Sequence, residues 1–396
     1  MKRRDFIHAT AGLSVLGFLP KGLAGSVLMS EDRYVSEAYD DNKVVRVYNQ
    51  NVSDYNFSGE QVYWKTINKD VLTQMLSKSL FEISGEKKVA KAWKKILEGN
   101  KNANLVERKI VVKVNFNNTI RDINKTLNNS PAMLSVLAKS LIDAGLQQKN
   151  ICIFDCSRPF PKEIKSEVRK QNLEQIVMIG KNDNPAVSEK TIFLSDNKGF
   201  PKDGKPTDQY PIPQLLIDAD YLVNLHLVKM HSPGVTGAMK NLFGILGNVG
   251  FYMHKKETKS FSVSNQLPDI SLNEEIKKRA RLNIAEFVFG GHTPDSVDKF
   301  TNEAFFPNGM PASLIVSRSP FYHDTVLYSF INAEYQTCKP ENLRKDLATI
   351  GPDTWLKNSS ERYPAWKYEQ AGSADIKKEG HPLKELTFKG VNYVSV

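Results

Sequence analysis

Three cysteines in 396 residues are too few for a disulfide framework. Cys152, Cys156 and Cys338 form no CxxC pair, and no haem-attachment or iron–sulfur run of cysteines is present. Cys152 and Cys156 have even spacing, so on an extended strand they face the same side. Two buried small apolar side chains fit that spacing, and so does a metal or redox pair. After residue 25 no apolar run reaches membrane-spanning length, so no anchor is expected beyond the N-terminus. HExxH and GxSxG are absent, as is GxxxxGK followed by Ser or Thr. Their absence removes the signatures of zincin proteases, α/β-hydrolases and P-loop nucleotide enzymes. There is no internal repeat and no long block of like charge.

What is present is ordinary globular material, 40% hydrophobic. The net charge is +10, part of it from Lys2, Arg3, Arg4 and Lys21 near the start. The other basic residues are spread along the chain, which reads as a solvated lysine-rich surface and gives no expectation of a nucleic-acid partner. Residues 1–25, MKRRDFIHATAGLSVLGFLPKGLAG, read as a cleaved secretory signal. The Arg3-Arg4 pair, Phe6 and a weakly hydrophobic run containing Gly12 and Gly17 resemble the twin-arginine type. Ser26 stands where a lipoprotein would need cysteine. The expectation is export to the periplasm by the twin-arginine machinery without a lipid anchor. That route carries folded proteins, many of them already loaded with a cofactor, as the resemblance implies.

From residue 43 to 396 the chain alternates strands and helices. Val44–Tyr48 reads as a strand, and Asn68–Leu80 and Glu86–Leu97 carry apolar residues at helical spacing. Lys109–Phe116 is a buried strand ending in polar Asn115, and Ser130-Pro131 opens a helix that runs to Gly145. A strand at Asn150–Phe154, a helix at Lys162–Gln171 and short strands near Ile176–Ile179 and Thr191–Leu194 follow. Ser195–Pro213 reads as a loop, Leu272–Arg281 as a helix, Leu282–Phe289 and Ser313–Ser317 as strands, Tyr322–Asn332 as a helix, and Leu386–Val396 as a hairpin. The pattern predicts an α/β fold with a largely parallel sheet flanked by helices, one large domain after the signal. In such sheets ligands bind beyond the carboxyl ends of the strands. The polar residues falling there are Asn115, Asp155, Lys229 with His231, and Glu286 or His292.

The richest stretch runs from residue 220 to 250. In Tyr221–Val228, alternation places Tyr221, Val223, Leu225 and Leu227 on one face and Leu222, Asn224, His226 and Val228 on the other. His226 is therefore expected in the core. Lys229 and His231 are expected past the strand's end, as candidates for chemistry. Thr236 reads as the N-cap of a helix bearing Met239, Leu242, Phe243 and Leu246. Thr236, Gly237, Lys240 and Asn241 would then form an anion site at a helix start; capping plus an exposed lysine is the plainer account.

Asp218, Ala219, Asp220, Lys229, His231, the run Thr236-Gly237-Ala238, then Lys240-Asn241-Leu242-Phe243-Gly244, and His254 resemble the signature of the family called domain of unknown function 362. Lys113 with Asn115, Asp155, and Pro320 with Asp324 are further family-like pieces, so Lys113, Asn115 and Asp324 join the candidate set. Glu286 stands where the family often has aspartate, and the ferredoxin-like cysteine cluster of some members is absent. The resemblance implies a fold and a site, and no reaction.

Three functions remain open at this level. An exported enzyme or metalloprotein would use His231, His254, Asp155 and Glu286 as ligands to a divalent metal, with Asp324 as a further acid. Five of the six histidines after the signal lie between 226 and 323, which suits it. In that enzyme Lys229 and Lys240 would hold an anionic substrate. A non-catalytic periplasmic protein would bind a small anionic ligand through the Thr236–Asn241 helix start alone. A redox partner is the third and least supported.

Overall fold

A computed structural model describes residues 37–99, 104–116, 119, 121–194, 209–231, 234–247, 261–338, 354–367, 375–376, 386–388 and 390–396. The signal segment and His254 lie outside these residues.

The chain opens with β1 (Lys43–Tyr48) and two helices, α1 (Lys69–Ser84) and α2 (Val89–Glu98). Asn68 caps α1 by accepting from the Asp70 and Val71 amides, and Gly85 ends it in the left-handed conformation. Next come β2 (Ile110–Lys113), α3 (Pro131–Asp143), β3 (Ile151–Asp155), α4 (Lys162–Arg169) and β4 (Val177–Gly180). As the sequence predicts, Ser130 caps α3, its side chain accepting from the Met133 amide with Pro131 at the first position.

The expected loop before residue 213 is partly a strand. β6 (Gln209–Pro213) pairs antiparallel with β5 (Val187–Phe193) in a separate two-stranded ribbon. Pro211 and Pro213 suggested a loop, yet proline is tolerated in edge strands such as this.

β7 (Tyr221–His231) is longer than expected and folds back on itself as β8 (Gly234–Thr236), with Lys229 opposite Thr236. A single helical turn, Ala238–Asn241, and a 3-10 turn, Leu242–Ile245, follow where one regular helix was expected. Then come α5 (Phe261–Ser271), β9 (Ala280–Gly291), β10 (Ser313–Ser317), α6 (Pro320–Cys338) and α7 (Thr354–Arg362). Of the expected helix at 272–281 only the turn Glu274–Lys277 forms, because β9 already begins at Ala280. Within 386–396 the expected hairpin is represented, among the described residues, by one antiparallel bridge between Phe388 and Val391; β12 (Leu386–Thr387) pairs with β11 (Asp375–Ile376), and β13 (Asn392–Ser395) lies parallel to β1.

The main sheet has the order β13-β1-β10-β9-β7-β2-β3-β4, with β8 attached to β7. From β9 through β4 the neighbours are all parallel; β10 is antiparallel to both β9 and β1. Helices cover both faces, so the central strands are buried on both sides, and every residue of β9 after Ala280 is buried. Tyr221, Val223, Leu225 and Leu227 face a core with α1 to α4, whereas Leu222, Val228 and Met230 face a second core with α5, α6 and α7. The period-two alternation in β7 is thus realised as predicted. No helix among the described residues is long and apolar enough to cross a membrane.

Candidate functional site

From β2 the chain winds outward through β3 and β4, then returns to set β7 on the other side of β2. Winding reverses at that boundary, which is where open α/β sheets form a crevice at the strands' carboxyl ends. Asn241 ties the two strands together there. Its Oδ1 accepts from Asn115 Nδ2 at 3.2 Å and Lys113 Nζ at 3.4 Å. Its Nδ2 donates to Asn224 Oδ1 at 2.8 Å and to the Leu225 carbonyl at 3.1 Å. Asn224 Nδ2 passes the chain on to Asn283 Oδ1 at 3.0 Å and also reaches the Ala238 carbonyl at 2.8 Å. Asn283 Nδ2 ends it on the carbonyls of Ser317 and Arg318 at 3.3 and 3.2 Å. Four buried amides therefore run head to tail from β2 across to β10, each dipole aligned with the next, an arrangement that rigidifies the site.

The glycines of this region serve close approach. Gly237 has extended backbone torsions, so no positive φ demands it. A Cβ there would lie 2.7 Å from Asp324 Cγ. Asp324, on α6, accepts from the Ala238 and Met239 amides at 2.6 and 3.0 Å. Burial pushes its carboxyl up to about 7, against the lowering effect of those two donors. The expected N-cap is thereby corrected. Thr236 is held in β8 opposite Lys229, Gly237 occupies the cap position without a side chain, and a carboxylate from 86 residues away supplies the cap. Two first-turn amides assigned to an external anion hold this internal one. Gly244 serves a second approach: a Cβ there would lie 2.5 Å from Lys113 Cε and 2.9 Å from Asp155 Oδ1.

Lys113 and Asp155 form a buried ion pair at 3.3 Å. Burial holds the Lys113 ammonium below its usual range, and Asp155 partly restores it. Asp155 also accepts from the Phe116 amide at 3.2 Å and from the Ser157 amide and hydroxyl at 2.9 and 2.7 Å. These bonds brace the ends of β2 and β3.

Lys229 is a different case. The sequence places it beyond the strand, but the β7–β8 hairpin carries the ladder past it and buries it completely. Its Nζ has no hydrogen-bond partner among the described residues. Burial pushes its ammonium down to about 7; Asp295 opposes that and Arg158 adds to it. Lys240, also buried, is held well below its usual value by burial and by the nearby Lys229 charge. Its Nζ lies 2.5 Å from His231 Nδ1. Lys229, Lys240 and His231 thus form a group of nitrogen bases at the end of β7.

The expected metal set does not assemble among the described residues. Asp155 is bound to Lys113, and His231 to Lys240. Glu286 faces the opposite core, where it accepts from Asn129 Nδ2 at 2.8 Å and the Ser130 amide at 3.0 Å. It therefore sits at the start of α3. Burial raises its carboxyl to about 7, and the Asn129 and Ser130 donors limit the rise. His226 is in the core as predicted. Its Nδ1 contacts the Leu227 carbonyl at 3.0 Å, so Nδ1 carries the proton, and Nε2 accepts from His323 Nε2 at 2.9 Å. Burial lowers His226 to about 4, and burial with the neighbouring His226 holds His323 well below its usual value, keeping both neutral. The Cys152 and Cys156 thiols are pushed up to about 12 by burial, which leaves them unreactive.

Sequence reasoning missed another group. His292, Glu334 and Cys338 bring one nitrogen, one oxygen and one sulfur within 4.8 Å of one another. The sequence cues were His292 at the carboxyl end of a strand and the four-residue spacing of Glu334 and Cys338 on a helix.

Residues 110–329 match the family described as domain of unknown function (DUF362). No match is found among curated protein sequences. Among solved structures, the lactate racemase apoprotein from Thermoanaerobacterium thermosaccharolyticum is similar at 10% identity with a TM-score of 0.39. The alignment covers 65% of this chain and 54% of that one.

Proposed function

The chain belongs to the DUF362 family, and from that premise we propose that it is an exported protein holding a small anionic ligand at the end of β7. The observation that carries the reading is Lys229: an amine buried at 0% exposure, unpartnered among the described residues, beside a second buried lysine. An uncompensated cation in a low-dielectric interior is costly and is relieved when an anion arrives. Such perturbed groups concentrate at functional sites, and this one lies at the winding reversal where ligands are expected.

Lys229 and Lys240 carry the proposal, with His231 beside them. Asn241 is committed to its amide chain, the Ala238 and Met239 amides beyond Gly237 to Asp324, and Thr236 to β8. Lys113, Asn115 and Asp324 are scaffold of the site. The ligand is a phosphate- or carboxylate-bearing small molecule, and no reaction is assigned to it. Titration calorimetry of the full chain with inorganic phosphate tests the reading. One saturable site, lost in Lys229→Met and weakened in Lys240→Met, supports it; equal heats in wild type and Lys229→Met refute it.

Export rests on residues 1–25 alone. We propose the twin-arginine route from the Arg3-Arg4 pair and the weak hydrophobicity that follows it.

A further inference from the structure

A second group of side chains lies at the carboxyl end of β9, the strand beside β7, where Gly291 is the ladder partner of Lys229. His292 follows the last residue of β9, and Glu334 and Cys338 lie one turn apart on the same side of α6. The three side chains offer ligand atoms within 4.8 Å of one another. We propose that His292, Glu334 and Cys338 bind a zinc-class divalent transition metal through three protein ligands, leaving a fourth position open.

The chemistry of the set selects that class. Imidazole and thiolate favour zinc, cobalt or copper over magnesium and calcium, which prefer oxygen alone. Three protein ligands with an open fourth position are the arrangement of reactive zinc centres.

The surroundings hold two of the three ligands, His292 and Glu334, in place. Phe300 stacks on the His292 ring, centroids 5.1 Å apart and planes at 15°. Asp298 lies 3.8 Å from His292 Nδ1, on the side away from Glu334, and accepts from the His292 amide at 2.6 Å. That places a carboxylate behind the histidine. Glu334 is buried, and its carboxylate accepts from the Thr301 and Asn302 amides, each at 2.8 Å. His292 Nε2 and Glu334 Oε1 are hydrogen-bonded at 2.8 Å, and a bound cation would replace that bond with two metal–ligand bonds. On binding, the Cys338 thiol gives up its proton to solvent, the proton between His292 Nε2 and Glu334 Oε1 leaves Nε2 for Nδ1 or solvent, and thiolate, imidazole and carboxylate coordinate; no electron is transferred.

A plain structural role competes: Glu334 pins the 301–302 backbone and His292 packs on Phe300. Cobalt(II) titration of the full chain separates the two. The site predicts one equivalent bound, with a thiolate-to-cobalt charge-transfer band and the visible absorption of a four-coordinate ion. Cys338→Ser, at the half-buried end of α6, should keep the fold, remove the charge-transfer band and lower affinity by about tenfold or more. His292→Gln should lower affinity likewise. Failure to bind one equivalent at micromolar cobalt overturns the proposal, as does an unchanged charge-transfer band in Cys338→Ser.

Discussion

Replacing Lys229 by methionine should make the protein more stable and abolish the anion binding proposed for it. The side chain keeps its length and loses its amine. In the folded chain the ammonium is depressed from 10.5 to about 7 by burial. At 1.36 kcal/mol per unit, that depression corresponds to a penalty of about 5 kcal/mol on the charged form. The sign follows from proton counts. Between pH 7 and 10.5 the unfolded chain holds a proton on Lys229 that the folded chain has lost, so wild-type stability rises with pH across that window. Methionine removes the Lys229 penalty and the Lys229 share of the slope, leaving only what Lys240 contributes. Allowing for relaxation around the buried amine, Lys229→Met should stabilise the fold at pH 7 by about 2–4 kcal/mol. Urea unfolding at pH 7 and pH 9, in buffers free of phosphate and sulfate, measures both quantities. A variant less stable than wild type at pH 7, or one that keeps the wild-type rise between pH 7 and 9, refutes the reasoning.

Gly237→Ala should overlap the Asp324 carboxylate and cost about 2–4 kcal/mol by displacing the acceptor of two buried amides; thermal unfolding reads it. Asn241→Leu removes the donor to Asn224 Oδ1 and the acceptor of Asn115, at an expected cost of about 3 kcal/mol or more in urea unfolding. Glu286 is raised from 4.5 to about 7 in the fold, so the folded state holds the extra proton in that window and wild-type stability falls as pH rises through it. Glu286→Gln should flatten that fall, as seen in melting temperatures at pH 5 and pH 7.5; an unchanged slope rejects the assignment. Arg3-Arg4→Lys-Lys should leave the precursor in the cytoplasm, and normal export of that variant, followed by fractionation, rejects the twin-arginine route.

Much of the architecture was legible because burial on two faces writes a simple code. The alternation of Tyr221–Val228 separates the two cores, and Ser130-Pro131 marks the start of α3 through its own cap chemistry. His226 was readable as core for the same reason. The site was less legible because its decisive partners are remote. Asp324 caps a turn 86 residues earlier, and no local pattern announces a carboxylate aimed at Gly237. Lys229 ended the predicted strand because a charged residue ends an apolar run, whereas the hairpin at Gly234–Thr236 extends the ladder past it. As a residue near the end of an apolar strand Glu286 reads as a ligand, but strand parity turns it to the other core and the start of α3. His292 and Glu334 meet only through tertiary packing.

The central claim is that Lys229, buried and without a hydrogen-bond partner among the described residues, receives an anion. Calorimetric titration of inorganic phosphate into the full chain at pH 7, alongside Lys229→Met, tests it most directly. The account predicts a single saturable site in the wild type with proton uptake on binding, and none in the variant. No saturable heat in the wild type, or the same isotherm in both proteins, contradicts it.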